Sequence, residues 1–478
     1  MERKSISMVE QNVSRQTKAS IAAAAMLSFL GILVETSLNV TFPTLTREFN
    51  VTLGTMQWVT SGYLLMVTVI MSTTGYLTKK FNARSLFSVA IIFNLLGTLM
   101  CATAQVFPVL LTGRLLQAVA TGISTPLMYH LVMSLIPQRK LGTYMGIAAM
   151  IISLAPALGP TYGGTMAAFW SWRGVFIVAV PLLLLTAWIG EKNIFLEADG
   201  TQEKFDWIGL VLLSLTFFCL STAFANGGNY GFKSSRFAWM LAAFSGGVLL
   251  LIGHFHFSSR QILNFKLLLN PLICLRWLNF FILQFINIGI SFVIPIFVEN
   301  YLHSSAFVAG LILLPGALLG AAISPYAGRL FDKHGAFIPL LISSICIVAG
   351  TGMFFILTPI LTALSTTLIY LFLRGGFNFG FSNSMSDAST QVLPQQKADV
   401  NSLFNTFQQY AGSFGTSVLS AVISAQQIKK GASLAILTAK GSHFDYGILL
   451  ILALVSLATV LAAKHLTTKT DKSKTPYI

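Results

Sequence analysis

The stretch LAPALGPTYGGTM, residues 154–166, lies inside a long apolar run that extends from about residue 142 to 169. Its prolines and glycines are Pro156, Gly159, Pro160, Gly163 and Gly164. Glycine and proline are unfavourable inside a helix in water, but a membrane helix can hold them because its neighbours satisfy the freed backbone groups. The prolines are expected to bend the helix, and the glycines let another helix approach closely. Small-residue packing would explain an isolated glycine pair, whereas the whole pattern favours a bend at the joint between moving parts of a transporter.

The composition indicates a protein that crosses the membrane many times. The chain has 478 residues, of which 55% are hydrophobic and only 9% are charged, whereas soluble domains have about 25% charged residues. The segments between apolar runs are too short for a soluble domain, the longest being about 20 residues. The four cysteines are widely spaced and indicate neither a metal site nor a disulfide framework.

A membrane-spanning helix needs about 20 apolar residues, and this criterion predicts fourteen spans. The first apolar run could be taken for a signal peptide, but it continues well past its alanine run and is interpreted as an uncleaved span. The predicted spans are 19–42, 56–77, 86–104, 109–135, 142–169, 174–189, 207–226, 238–256, 277–297, 307–330, 337–357, 364–385, 401–424 and 444–463.

The basic residues predict the orientation of the chain. Of 30 lysines and arginines, 21 fall on the side that holds both termini and seven on the other. Because cytoplasmic loops carry the excess of Lys and Arg, we expect the tails 1–18 and 464–478 to be cytoplasmic. The net charge of +15 then faces lipid headgroups and does not indicate a nucleic-acid partner.

An internal repeat divides the chain into two halves. GYLTKKFNA (75–83) after span 2 matches GRLFDKHGA (328–336) after span 10 at Gly, Leu, Lys and Ala, 253 residues apart. Arg114 and Arg374 recur at a similar spacing. The repeat predicts six-helix halves at 19–189 and 277–463, with an inserted helix pair at 207–256.

Glu35 stands out among the fifteen carboxylates because the others fall in loops or at span edges. We place it about 10 Å inside the outer end of span 1, and Arg114 at a similar depth, about 8 Å inside span 4, from the helical rise. A carboxylate at membrane depth is costly unless paired or protonated, and is a functional candidate by default. We therefore predict that Glu35 and Arg114 couple transport to protons; a static ion pair is the alternative.

Polar motifs recur in several spans. Glu35 and Asn39 are four residues apart, and Arg114 and Gln117 are three apart, so each pair shares a helix face. The motifs are VETSLNVTFP (34–43), QWVTSGYLL (57–65), GRLLQAVATG (113–122), WRGVFIVAVP (172–181), FDWIGL (205–210) and NTFQQYAGSFG (405–415). Together they resemble the fourteen-span drug:proton antiporter branch of the major facilitator superfamily. Residues 154–166 resemble the antiporter signature of that family, roughly GxxxGPxxGG.

The resemblance implies the major facilitator fold and assigns further site residues. The expected substrate cavity is lined by Asn39, Gln57, Tyr63, Gln117, Phe285, Asn287, Arg374, Asn405 and Gln408. The expected cytoplasmic gating loops contain Gly75, Lys79, Arg84, Gly328, Asp332 and Lys333.

Several positions depart from the family pattern. Lys79 stands where the first gating loop usually has an acid, and Asn82 replaces its second glycine, so the usual latch contacts of that loop are expected to be lost. The second copy keeps Asp332 and Gly335. Gln408 replaces the usual arginine of span 13, which predicts a less charged cavity.

We interpret the chain as a secondary transporter that exports amphipathic or apolar toxic compounds in exchange for protons, in a bacterial plasma membrane. The resemblance implies no cofactor, a small-molecule substrate, the lipid bilayer as partner and a functional monomer. No GxxxxGK[ST] motif is present, which disfavours an ATP-driven pump. A metabolite facilitator or symporter on the same fold stays open, as does an integral-membrane enzyme or sensor, although the latter would need a catalytic cluster or a sizeable soluble domain.

Overall fold

A computed structural model describes residues 13–197, 205–258, 262–393, 396–429 and 431–474. Fourteen long helices follow one another in these residues, as predicted. They are α1 (Arg15–Ser37), α2 (Trp58–Lys80), α3 (Ala83–Ala102), α4 (Phe107–Leu135), α5 (Gln138–Phe169), α6 (Gly174–Asn193), α7 (Trp207–Tyr230), α8 (Ser235–Phe257), α9 (Pro271–Asn300), α10 (Ala306–His334), α11 (Phe337–Leu357), α12 (Ala363–Thr390), α13 (Lys397–Gln427) and α14 (Leu434–Lys474). Eleven helical segments of the described ranges are long and apolar enough to cross a membrane. The other three long helices are α5, α12 and α13, of 32, 28 and 31 residues.

The helices extend further than the hydropathy pattern predicts. Beyond α1, a 3₁₀ turn (Leu38–Thr41) leads into a short helix, Phe42–Glu48, although Phe42 and Pro43 were expected to close span 1. The prediction was wrong because proline at the start of a helix lacks only a hydrogen bond that the first turn would not make. α1 also begins inside the predicted N-terminal tail, and α14 continues through most of the predicted C-terminal tail. Residues 1–12 and 475–478 of these tails lie outside the described residues.

The helices pack as two groups of six, α1–α6 and α9–α14, joined along a central seam. α7 packs against α13 and α2, and α8 packs almost entirely against α7. Only 6% of the most apolar window of α8 is buried inside the protein. The inserted pair therefore lies beside the seam, with α8 facing outward.

The seam is formed by two helix pairs, α5 with α10 and α2 with α13. We call the side where α1 begins and α14 ends the terminal side, and the other the opposite side. The seam is tightly packed from its middle to the opposite side. There Ser413 donates to the Ser61 carbonyl (2.7 Å), Ser420 donates to the Leu53 carbonyl (3.2 Å) and the Phe42 and Phe292 rings meet edge to face.

Towards the terminal side the seam loosens. A Cβ atom added to Gly75 or Gly328 would meet no atom within 4 Å, and Pro325 and Tyr326 near the end of α10 are exposed. The two halves are thus closed against each other on the opposite side and separated on the terminal side.

The glycines of α5 contact two different helices. A Cβ atom on Gly159 or Gly163 would collide with Thr36 or Ser37 of α1. A Cβ atom on Gly164 would collide with the Ala306 carbonyl of α10. These glycines therefore let α5 pack closely against α1 of its own half and against α10 of the other half.

Replacing Gly163 with leucine should weaken this packing. The side chain would meet the Ser37 backbone, which cannot move aside as a flexible side chain would, and overpacking a protein interior costs about 1–3 kcal/mol. We expect the purified Gly163→Leu protein to melt at a lower temperature than the wild type while still inserting into the membrane.

The matched control is Gly246→Leu on α8, because a Cβ atom there meets nothing within 4 Å. Equal melting temperatures for the two variants would contradict the close contact between α5 and α1.

Candidate functional site

A buried polar cluster joins α1, α2, α3 and α4 inside the N-terminal half. Its largest member, Arg114, is fully buried. The Nη1 atom of Arg114 donates to Oε1 of Gln117 (2.8 Å), and its Nε atom donates to the Val59 carbonyl (3.3 Å). Gln117 in turn donates to Oγ1 of Thr98 on α3 (2.8 Å). The guanidinium is therefore held in one orientation by groups from three helices.

Tyr63 forms the other wall of the Arg114 site. Its ring lies under the guanidinium, with 4.2 Å from Cζ of Arg114 to the ring centroid. A cation over an aromatic face in a site without water is stabilised by the ring quadrupole. The Tyr63 hydroxyl shares a 2.6 Å hydrogen bond with Thr121 and lies 3.3 Å from the Gly31 carbonyl. This side chain links α2 to α1 and α4.

Glu35 lies close to this cluster without being bonded to it. Its side chain is buried, with 6% exposed, and Arg114 acts on it electrostatically. Among the ion pairs of the described residues, none joins the two side chains. In the part of the chain that the structure describes, the Nη2 atom of Arg114 has no hydrogen-bond partner. The cluster therefore contains an unsatisfied donor and a nearby acid that has no counter-charge in direct contact.

Helical backbone continues past Ser37 through the 3₁₀ turn and the short helix to Glu48, thirteen residues beyond Glu35. Asn39, in the 3₁₀ turn, accepts a 2.8 Å hydrogen bond from Thr60. Gln57, with its amide nitrogen towards α13, donates to the carbonyls of Thr416 and Ser417, each at 3.2 Å. Gln57 thus forms part of the closed seam.

The C-terminal half carries a second polar group around Arg374, which is half-buried. Its guanidinium donates to the Asn287 side chain of α9 and lies 5.1 Å from the Phe377 ring centroid. Asn378 donates to the Arg374 carbonyl (2.9 Å). Arg374 and Asn287, both predicted cavity residues, are therefore brought together.

The remaining predicted cavity residues are more scattered. Phe285 is buried in the core between α9 and α13, where its ring packs against Phe414 at 5.6 Å. Gln408 is half-buried and Asn405 is exposed on α13. The structure does not join these three to the Arg374 group through a hydrogen bond in the described residues.

The predicted gating residues lie at the terminal side. Arg84 forms an ion pair with Glu191 at the end of α6 (3.0 Å), and Ser88 also donates to this carboxylate. Asp332 and Lys333, in the second copy, are both exposed. Glu191 was not predicted as a partner, because nothing in the sequence relates the start of α3 to the end of α6.

Sequence reasoning also missed a clamp on the opposite side. Glu48 accepts hydrogen bonds from Nε1 of Trp172 (2.6 Å) and Nη1 of Arg173 (2.7 Å), and Arg173 also donates to the Ala104 carbonyl (2.6 Å). These contacts tie the short helix after α1 to the α5–α6 and α3–α4 connections.

The prediction that Glu35 is the only deep acid is wrong. Asp445 is fully buried, because α14 begins at Leu434, ten residues before the predicted start of span 14. Lys440 and His443 made this first part look like a loop. The apolar residues Leu437 and Leu449 on either side of Asp445 were the sequence signal that could have indicated a helix running through this position.

Comparisons with known proteins agree with this geometry. The family model of the Major Facilitator Superfamily matches residues 24–416. Lincomycin resistance protein LmrB of Listeria monocytogenes is 31% identical over 412 residues, which cover 85% of this chain and 86% of that protein. The multidrug resistance protein B homolog of Mycobacterium tuberculosis is 25% identical and covers 80% and 72% of the two chains.

Solved structures show the same fold. A bacterial homolog of the human lysosomal transporter Spinster, in an inward-facing and unoccupied conformation, superposes with a TM-score of 0.68 at 14% identity, covering 95% of this chain and 98% of the other. With a family match across most of its length, and with fourteen helices packed as two halves along a seam, this chain belongs to the Major Facilitator Superfamily and is a multi-pass membrane transporter.

Proposed function

We propose that the chain exports amphipathic or apolar toxic compounds across the bacterial plasma membrane in exchange for protons, by alternating access. The relatives named for resistance to lincomycin and to multiple drugs support the substrate class. The observation that carries the proton coupling is the buried Glu35 beside Arg114; the Nη2 atom of Arg114 lacks a hydrogen-bond partner among the described residues. A buried carboxylate without a paired counter-charge is costly in its ionised form. A conformational change that alters the surroundings of Glu35 can therefore change whether it holds a proton.

The proposed cycle uses the seam as the moving joint. With the opposite side closed and the terminal side open, a compound would enter between the halves from the cytoplasm. After the halves rock to open the opposite side, a proton from outside would neutralise Glu35 and weaken its attraction to Arg114. Release of the compound and closure of the outside would follow, and loss of the proton to the cytoplasm would reset the transporter.

The polar group around Arg374 in the C-terminal half supports one alternative function, transport of a polar metabolite. Arg374, Asn287 and Asn378 offer hydrogen bonds that a polar metabolite could use. A facilitator or symporter of one metabolite on this fold would give a growth defect on a single nutrient when the gene is deleted. An exporter of toxic compounds would instead give hypersensitivity to several unrelated antibiotics. A susceptibility panel on cells with and without the protein separates the two functions.

The topology is tested by reporter fusions. The excess of basic residues on the terminal side predicts that both termini are cytoplasmic. A phosphatase reporter fused after Lys429, beyond the end of α13, should therefore be active outside. The same reporter at the C-terminus should be inactive, and a cytoplasmic reporter there active. Activity of one reporter at both positions would contradict the topology.

Glu35→Gln should uncouple transport from protons. Glutamine keeps the size and hydrogen-bonding groups of the acid but cannot exchange a proton. In vesicles with a pH gradient, we expect accumulation of ethidium, a fluorescent amphipathic cation, to fall to the level of vesicles without protein. Exchange of ethidium down its own gradient should persist.

The matched control is Glu197→Gln, an exposed acid in the loop after α6, which should accumulate ethidium as the wild type does. If the Glu35→Gln protein pumped against a gradient at the native rate, the proton site would lie elsewhere.

A further inference from the structure

Asp445 is a buried acid for which the proposed cycle has no role. It lies eleven residues into α14, about 17 Å from the start of the helix at the helical rise. Its exposure is 0%, and neither carboxylate oxygen has a hydrogen-bond partner among the described residues. An ionised carboxylate without water, donor or counter-charge is far more costly than the neutral acid.

One turn before and one turn after Asp445, the buried face of α14 packs against apolar residues of the neighbouring helices. Leu449, one turn further along α14, lies at the level of Gly289 on α9 and Leu419 on α13, and Gly441, one turn before, packs against Ile423. Helical spacing places Asp445 between these two levels, on the same face of α14.

No charged group of the packed helices offers Asp445 a counter-ion in the described structure. On α9 the nearest acid, Glu299, lies at the end of the helix, where Arg47 acts on it. On α14 itself Lys440 is exposed, and His443 stacks on Phe355 of α11 with ring centroids 4.4 Å apart. The basic residue at the end of α13, Lys429, is exposed as well, and α11 carries no acidic or basic residue.

Buried hydroxyl groups lie between Asp445 and the opposite side on the same face of α14. Thr438 and Ser442 precede Asp445 at positions that share its helix face, and both are fully buried. Thr438 accepts a 2.8 Å hydrogen bond from Gln427 of α13. Gln427 lines a cavity of about 340 Å³ on the opposite side, together with Arg47.

The polar groups next to Asp445 are also unsatisfied. Neither the Ser442 hydroxyl nor the Tyr446 hydroxyl has a partner within the described ranges. Neither hydroxyl is bonded to the acid in the described structure, so a proton would pass between them only through water that enters when the opposite side opens. A hydroxyl can donate one hydrogen bond to such water and accept others. Tyr446 is fixed by its ring, which stacks on Phe354 at 4.9 Å.

We propose that Asp445 is a second proton-binding site, located in the C-terminal half and loaded from the opposite-side cavity along Gln427, Thr438 and Ser442. The effect of Asp445 on transport rests on the proposed proton-coupled export. The binding of a proton to Asp445 does not depend on that proposal.

Infrared difference spectroscopy on the purified full-length protein tests the occupancy directly. We expect a carbonyl-stretch band of a protonated carboxylic acid that is present in the wild type, absent in Asp445→Asn and retained in the exposed control Asp332→Asn. The band should diminish as pH rises. A band that is not lost in Asp445→Asn, or that does not titrate while the protein stays folded, would overturn the proposal.

The proposed path is tested by the rate at which the same band shifts after transfer to heavy water. Ser442→Ala removes the hydroxyl next to the acid and should slow the shift, and Gln427→Leu should do the same at the cavity. Ser433→Ala, an exposed serine before α14, is the control and should leave the rate unchanged. Equal rates in all three variants would overturn the path.

A transport measurement then distinguishes failure of this inference from failure of the proposed function. In reconstituted vesicles, Asp445→Asn should move fewer protons for each ethidium exported than the wild type, and Asp445→Glu should restore the ratio. If the wild type does not export ethidium at all, the proposed function fails while the infrared result stands. An unchanged ratio in Asp445→Asn would overturn a coupling role for this site.

Discussion

The backbone contacts on both sides of α5 are the constraint on which the rest of the structure depends. Gly159 and Gly163 lie against Thr36 and Ser37, the two residues that follow Glu35 on α1. Gly164, next in the chain, lies against α10 of the other half. The residues next to Glu35 therefore contact a helix that itself forms part of the seam, and close-packed protein interiors transmit displacements between such contacts.

The two halves use equivalent arginines in different ways. Arg114 is fully buried and held by Gln117, Val59 and the ring of Tyr63, whereas Arg374 is half-buried and bonded mainly to Asn287. A charge without access to water is stabilised only by fixed partners, so Arg114 is suited to act on one nearby acid. A guanidinium with partial access to solvent can exchange hydrogen-bond partners.

The architecture was predictable from the sequence, while the exact helix ends and the contacts of the site were not. Fourteen apolar runs and the repeat around Gly75 and Gly328 predict the helices and their division, because the membrane sets the length of a span. Hydropathy does not detect that Pro43 begins a further helix, because Phe42–Glu48 is short and its polar residues are mostly exposed. It does not detect that α14 starts ten residues early at Leu434 either, because Thr438 and Ser442 are polar residues that are buried only by tertiary packing. The hydrogen bond from Gln117 to Thr98 likewise depends on two helices meeting.

The two buried acids Glu35 and Asp445 lie in different halves of the structure. Glu35 lies in the first half and Asp445 in the second, and neither has a counter-charge in direct contact within the described structure. Both side chains are buried, and a carboxyl group shielded from water costs less in its neutral form than in its ionised form. Opening the opposite side would hydrate the path through Gln427 and the turn after α1 together. In the proposed cycle, two acids in separate halves would then respond to one movement of the seam.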